Sequence, residues 1–198
     1  FRSATCCKIN GEVKDLRTVI DADATLEILT FDDEDGRKAF NHTASHIMAQ
    51  AVKRLYPEAK LTIGPAIDNG IYYDFDVEKS FSPDDLAKIE AEMKKIVKSK
   101  IKLEKFELSP QDAIKKLEEM NEPYKVELIK DLPEDSIISF YSQGEFVDLC
   151  AGPHLMSTKS IKAFKLTSSS MAYWRGDSNK ARLQRIYGTA FDSKDDLK

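Results

Sequence analysis

The sequence predicts an α+β fold: an antiparallel or mixed sheet with a long helix facing a cleft, preceded by a small β-rich unit. Three observations carry this. Apolar residues recur at helical spacing through residues 35–55. Short strand-like segments bounded by turn residues fill most of the remainder. No internal repeat is present, which leaves a mixed class rather than a solenoid. With 198 residues and 41% hydrophobic content, the chain can build one ordinary core and a smaller appendage.

The elements follow in order. Asn10-Gly11 between Cys7–Ile9 and Glu12–Lys14 is a strong hairpin signal, because both residues tolerate positive φ. Leu26–Leu29 gives another strand. The chain begins with a strand already under way, so residues 1–35 read as the back half of a module. A helix from about Asp35 to Leu55 opens with acids, where its dipole favours them. Residues 61–67 and 71–75 read as strands joined at Asp68-Asn69-Gly70. Ser82-Pro83 and Ser109-Pro110 each start a helix: serine caps free amides and proline suits the first turn. Residues 101–105 alternate as a strand, and further strands are expected at 125–130, 137–141, 145–150, 162–167 and 182–187. The polar tail 192–198 reads as a linker.

Composition excludes several classes. Charged residues make up 32%, 30 basic against 34 acidic, for a net charge of −4. That is not the signature of a disordered tail. No run approaches the ~18–20 uncharged apolar residues of a membrane span. Residues 1–7 lack a signal-peptide profile. Three cysteines, Cys6, Cys7 and Cys150, make no disulfide framework, so a reducing, cytoplasmic location is expected. Without a global basic excess, any nucleic-acid contact must come from local patches.

All three histidines fall in two short motifs. His42 and His46 are four apart in the long helix, and His154 follows Cys150 by four. At about 100° per residue, the apolar stripe centres near Ala44 and Ala51, with His42 and His46 roughly 160° to 200° away. They therefore point away from the core, either into a site or onto the surface. Gly152-Pro153 makes the Cys150–His154 stretch a turn leaving a strand. In that strand Val147 and Leu149 share one face, and Asp148 and Cys150 the other. Helix and strand could meet across a cleft. Two His, a Cys and a His also match a tetrahedral zinc set. Thr43 stands where a metalloprotease would carry its glutamate.

His42-Thr43-Ala44-Ser45-His46 with Cys150-Ala151-Gly152-Pro153-His154 resembles the signature of threonyl- and alanyl-tRNA synthetase editing domains. Residues 51–57, 63–74, 122–126, 173–176 and 184–191 resemble the threonyl branch, in order along residues 8–191. The resemblance implies three parts: a partial β-grasp module at 1–35, an editing domain at 36–191 and a linker at 192–198. It also implies hydrolysis of seryl-tRNA mischarged onto threonine tRNA, with the aminoacylation and anticodon-binding domains outside this sequence. Serine differs from threonine by one methyl, worth only about 1–3 kcal/mol of discrimination, so a second, hydrolytic pocket has a physical purpose.

By resemblance, His42 activates or positions water, while His46, Asp148 and Cys150 line the pocket and Lys125 stabilises the developing oxyanion. Tyr73, His154, Trp174 and Arg175 are expected to bind substrate. Tyr73 is otherwise a half-buried strand tyrosine, and Lys125 a solvated strand lysine. No local feature lowers the Cys150 pKa, so it positions rather than attacks. Ala151 stands where many relatives carry Arg, so no contact is carried over to that side chain. No cofactor is required on this reading, and zinc is possible at His42, His46, Cys150 and His154. The expected partners are the acceptor end of threonine tRNA and the other synthetase domains, with no membrane. Two basic groups could meet phosphates: Lys94, Lys95, Lys98, Lys100, Lys102 and Lys105, and Arg175, Lys180, Arg182 and Arg185 beside Tyr173 and Trp174. The alternatives are a free-standing zinc-dependent editing hydrolase of the alanyl type and a non-catalytic, zinc-stabilised tRNA-binding module.

Overall fold

A computed structural model describes residues 3–67 and 69–198. Among them are four α-helices and three small antiparallel sheets, the mixed α+β class expected.

The N-terminal sheet runs β2-β1-β3, with β1 Ala4–Ile9, β2 Glu12–Lys14 and β3 Leu26–Thr30. Asn10 and Gly11 close the β1–β2 hairpin at φ 50° and 82°. Helix α1, Glu34–Leu55, follows with acids in its first turn and bases in its last. Its Ala39 joins Cys6 and Leu29 in a small core beneath the sheet.

The second sheet, β4-β5-β10-β9, pairs Lys60–Leu61 and Ile71–Asp76 with Arg182–Phe191 and Ala163–Tyr173. Against it pack α1 and α2, Pro83–Lys98, around Ile47, Met48, Phe75, Ile89 and Met93. The third sheet, β6-β7-β8, comprises Leu103–Leu108, Ile138–Gln143 and Phe146–Leu149. It has its own core with α3, Pro110–Glu119, and α4, Pro123–Lys130, through Leu117, Val126, Ile129 and Phe140. Ser82 and Ser109 cap α2 and α3 as expected, Ser82 within a full capping box with Asp85.

Several boundaries differ from the sequence expectation. Residues 125–130 are helical, not a strand: Pro123 occupies the first turn, and Val126 and Ile129, three apart, face Leu117. Of the expected strand 61–67, only Leu61 belongs to a regular strand. Two backbone bonds, Thr62 N–H to Asp74 and Asp74 N–H to Ile63, carry the pairing a little further. Gly64 then crosses the Tyr73 ring so closely that a Cβ there would lie 2.2 Å from it. The turn expected at Asp68-Asn69-Gly70 rests on Asp68, which lies outside the described residues. β9 and β10 are longer than expected because they pair continuously from Arg182↔Tyr173 to Phe191↔Ala163, with one bulge at Tyr187/Gly188.

Helix α1 turns its histidine face toward the end of β8, as the sequence expects, and the junction is closed: every residue from Ala39 to Val52 is buried. The β7–β8 hairpin and the turn after it cover that face, with Gln143 Nε2 donating to the His46 carbonyl and to Gln50 Oε1.

Candidate active site

Helix α1 sets His42 and His46 one turn apart, their rings edge to face at 4.9 Å. The end of β8 and the following turn bring Cys150 and His154 against them. Cys150 Sγ lies 3.3 Å from His42 Nε2 and 3.2 Å from His154 Nε2. The His42 and His154 rings stack at 4.2 Å. All four donor atoms lie within 4.8 Å of one another. Two motifs 108 residues apart therefore form one cluster.

Asp148 ties this cluster to α4 and β5. Its carboxylate receives the Tyr73 hydroxyl at 2.8 Å and the Lys125 ammonium at 2.9 Å, and lies 3.5 Å from His46 Nδ1. Val147 and Leu149 pack on the opposite side, against the second core, as the strand alternation requires. His42 is 6% exposed, His46 3% and His154 is fully enclosed.

Burial sets the electrostatics. It is the largest cause holding the His42 imidazole down to about 3, reinforced by His46. Burial likewise depresses His46 to about 3, helped by the Lys125 charge, and holds His154 well below its ordinary value. It raises the Cys150 thiol to about 12. At neutral pH the quartet is three neutral imidazoles and a thiol, beside an ion pair of Lys125 and Asp148.

Zinc fits these donors by type and proximity. The outer nitrogens are also fixed: His154 Nδ1 lies 3.0 Å from Thr43 Oγ1, and His46 Nδ1 near Asp148. Such outer partners are what orient metal-binding imidazoles.

The comparisons decide the relationship. Residues 138–187, β7 to β10, match the family model for the threonyl and alanyl tRNA synthetase second additional domain. That span holds Asp148, Cys150 and His154 but not the α1 histidines. A threonine–tRNA ligase of Acetivibrio thermocellus is 65% identical over 196 residues, 99% of this chain. Those of Clostridium tetani and Clostridium botulinum are 64% and 60% identical over 197 residues. By sequence, the chain is similar throughout to the N-terminal part of threonine–tRNA ligases. It spans about a third of each of these relatives, 31% of their length, in the N-terminal part.

Not every expected site residue reaches the cluster. Lys125 and Tyr73 do, through Asp148. Lys125 is buried rather than solvated, because α4 aims it inward. Tyr73 is fully buried rather than half-buried. Trp174 and Arg175 sit on the outer flank of α4. The indole is 3% exposed, donates to Glu127 at 3.1 Å and packs on Tyr124, so its faces are covered. Arg175 pairs with Glu127 and Asp131.

The basic groups are partly neutralised too. Lys94, Lys95 and Lys105 pair with Glu90, Glu92 and Glu107. Arg185 pairs with Asp74 at 2.7 Å and stacks on Tyr72. Among the described residues, no helix is long and apolar enough to cross a membrane.

Sequence reasoning missed Thr43 as a site residue, along with Asp15, Arg17 and Tyr141, which hold the turn bearing His154. Thr43 lies inside the histidine motif, a signal available in the sequence. Asp15 and Arg17 are over a hundred residues from the turn and carry none.

Proposed function

We propose that this region hydrolyses the aminoacyl ester of seryl-tRNA mischarged onto threonine tRNA, as the editing domain of a threonyl-tRNA synthetase. The observation that carries this reading is the junction of the two histidine motifs with a buried Asp148–Lys125 pair, in a chain related to threonine–tRNA ligases throughout.

Ester hydrolysis needs a placed water, a donor for the developing oxyanion and a proton for the leaving ribose oxygen. His42 supplies a neutral ring nitrogen that can accept a hydrogen bond from water. With its conjugate acid near 3, it positions that water better than it deprotonates it. Water oxygen bonds to the ester carbon, and Lys125, anchored by Asp148, stabilises the oxyanion. The ester bond to ribose then breaks, and the ribose oxygen takes up a proton originating from the water. The Cys150 thiol, held protonated, shapes the pocket and is no nucleophile.

Were zinc to bind, His42, His46, Cys150 and His154 would hold it, and it would supply Lewis acidity there. Four protein ligands would leave no open position, as in structural sites. That geometry favours a second reading, a zinc-stabilised tRNA-binding module without activity.

Specificity tests the proposal. Serine and threonine share the hydroxyl, so only steric exclusion of the extra methyl separates them. Overpacking against a rigid wall costs about 1–3 kcal/mol, and misplacing the ester adds up to ~10²-fold in rate. Seryl-tRNA should be deacylated quickly and threonyl-tRNA, on the same threonine tRNA, at near background. Equal rates on both sink the editing assignment. Activity confined to alanyl-tRNA supports the alanyl-type alternative, and none on any ester supports the binding module.

A further inference from the structure

The turn that carries Cys150 and His154 has no regular secondary structure. Its two ends are tied by the Cys150 N–H to the Ser139 carbonyl at 3.0 Å and by the Leu155 N–H to Thr43 Oγ1 at 2.9 Å, but no strand pairing runs through the residues between, and the pocket depends on where they lie. It is gripped from outside its own domain, by the loop that follows β2 in the N-terminal sheet. Asp15 Oδ2 accepts the His154 backbone N–H at 3.1 Å and the Tyr141 hydroxyl at 2.7 Å. Its Oδ1 accepts the Arg17 backbone N–H at 2.9 Å and the Arg17 guanidinium at 2.7 Å. The Arg17 Nη groups also donate to carbonyls: His154 at 3.2 Å, Leu155 at 2.8 Å and Leu103 at 2.9 Å.

The His154 peptide is thus held at both its N–H and its C=O. Its ring packs edge to face on Tyr141 at 4.6 Å, and Tyr141 also lies under the Arg17 guanidinium at 5.5 Å. Asp15 is buried, and the Arg17 side chain is nearly so. Hydrogen bonds to charged partners contribute more than neutral ones, and a buried carboxylate that lost its donors would be left costly and unpaired. Neither residue touches the quartet's own donor atoms.

We propose that Asp15 and Arg17 are positioning residues for the hydrolytic site. They fix the Cys150–Leu155 turn, and so the placement of Cys150 and His154 against His42, which makes ester cleavage depend on the N-terminal module. The proposal rests on reading the site as an ester hydrolase.

The test compares the wild-type chain with Asp15→Asn, which keeps the size of the side chain, and Tyr141→Phe, which removes only the hydroxyl donated to Asp15. Single-turnover deacylation of seryl-tRNA is measured with enzyme in excess, alongside backbone amide exchange. Each variant should lower the limiting rate about 10- to 100-fold while shifting the half-saturating enzyme concentration less than about twofold, because misplacement of the reacting groups costs rate rather than tRNA binding. Amides of Gly152, His154 and Leu155 should exchange faster, with those of α1 and β10 unchanged. An unchanged limiting rate overturns the proposal. So does a rate loss accompanied by faster exchange throughout the chain. If the wild type cleaves no seryl ester, that control rejects the hydrolase reading, and the exchange data still decide whether Asp15 holds the turn.

Discussion

On the proposed mechanism His42 and Lys125 both serve the pocket, but burial makes their removal mean different things. His42→Ala deletes a neutral group that positions water, and should slow seryl-tRNA deacylation about 10²- to 10⁴-fold per folded molecule. Lys125→Met instead strands the Asp148 carboxylate in the interior. Breaking a buried pair from one side costs about 3–5 kcal/mol, and Asp148→Asn in the same chain should restore much of that stability. Urea unfolding of the single and double variants checks this. A Lys125→Met chain as stable as wild type would mean the pair is hydrated. The histidines also govern pH dependence. Their folded values lie below the 6.5 of a free imidazole, near 3 for His42 and His46. The unfolded chain therefore binds more protons between those values. The stability they confer is whole above about pH 6.5 and is lost as pH falls toward 3. The urea midpoint should decline from pH 6.5 to 4.5, and a flat midpoint would refute the burial argument. The deacylation rate, in turn, should show no imidazole inflection between about pH 5.5 and 7.5.

Two glycines in left-handed turns separate element from site. Gly11, at φ 82°, closes the β1–β2 hairpin in open space, and no atom lies near an added Cβ. Gly11→Ala should cost stability of about 1 kcal/mol and leave deacylation unchanged. Gly152, at φ 76°, combines the same backbone strain with a Cβ position 2.2 Å from the Tyr141 hydroxyl. Gly152→Ala must push Tyr141 off Asp15 or move the turn, and the rate should fall with it. Comparing the two variants by melting and deacylation distinguishes a backbone cost from a positional one. Equal deacylation by both would remove the turn from the mechanism. Element identity itself was partly legible. The serines capping α2 and α3 declared those helices through local chemistry alone. α4 is not legible in this way: Val126 and Leu128 alternate with charges over too short a span for strand and helix periods to differ, and Pro123 at its start is the one local helix signal.

Across the whole molecule, zinc binding and the proposed hydrolysis would compete for the same four side chains. Zinc held by all four side chains would leave His42 no unprotonated ring nitrogen to accept a hydrogen bond from water. Deacylation should therefore survive exhaustive chelation, and added zinc should slow it in proportion to occupancy measured by elemental analysis. Activity that disappears on chelation and returns with one zinc per chain would reverse this. The sequence alone determined much. The helical spacing of His42 and His46, the alternation placing Asp148 and Cys150 on one face of β8, the Asn10-Gly11 hairpin and the capped helix starts are all set within a few residues of chain. They are legible because backbone geometry repeats over such distances. Tertiary structure decided the rest. It closed the far face of α1 beneath the β7–β8 hairpin, turned Lys125 inward on a helix and covered Trp174 with α4. It also carried Asp15 and Arg17 to a turn about 137 residues away. No period or motif encodes such contacts. They arise when elements pack to bury apolar surface, and the polar groups buried with them must find partners wherever the chain brings them.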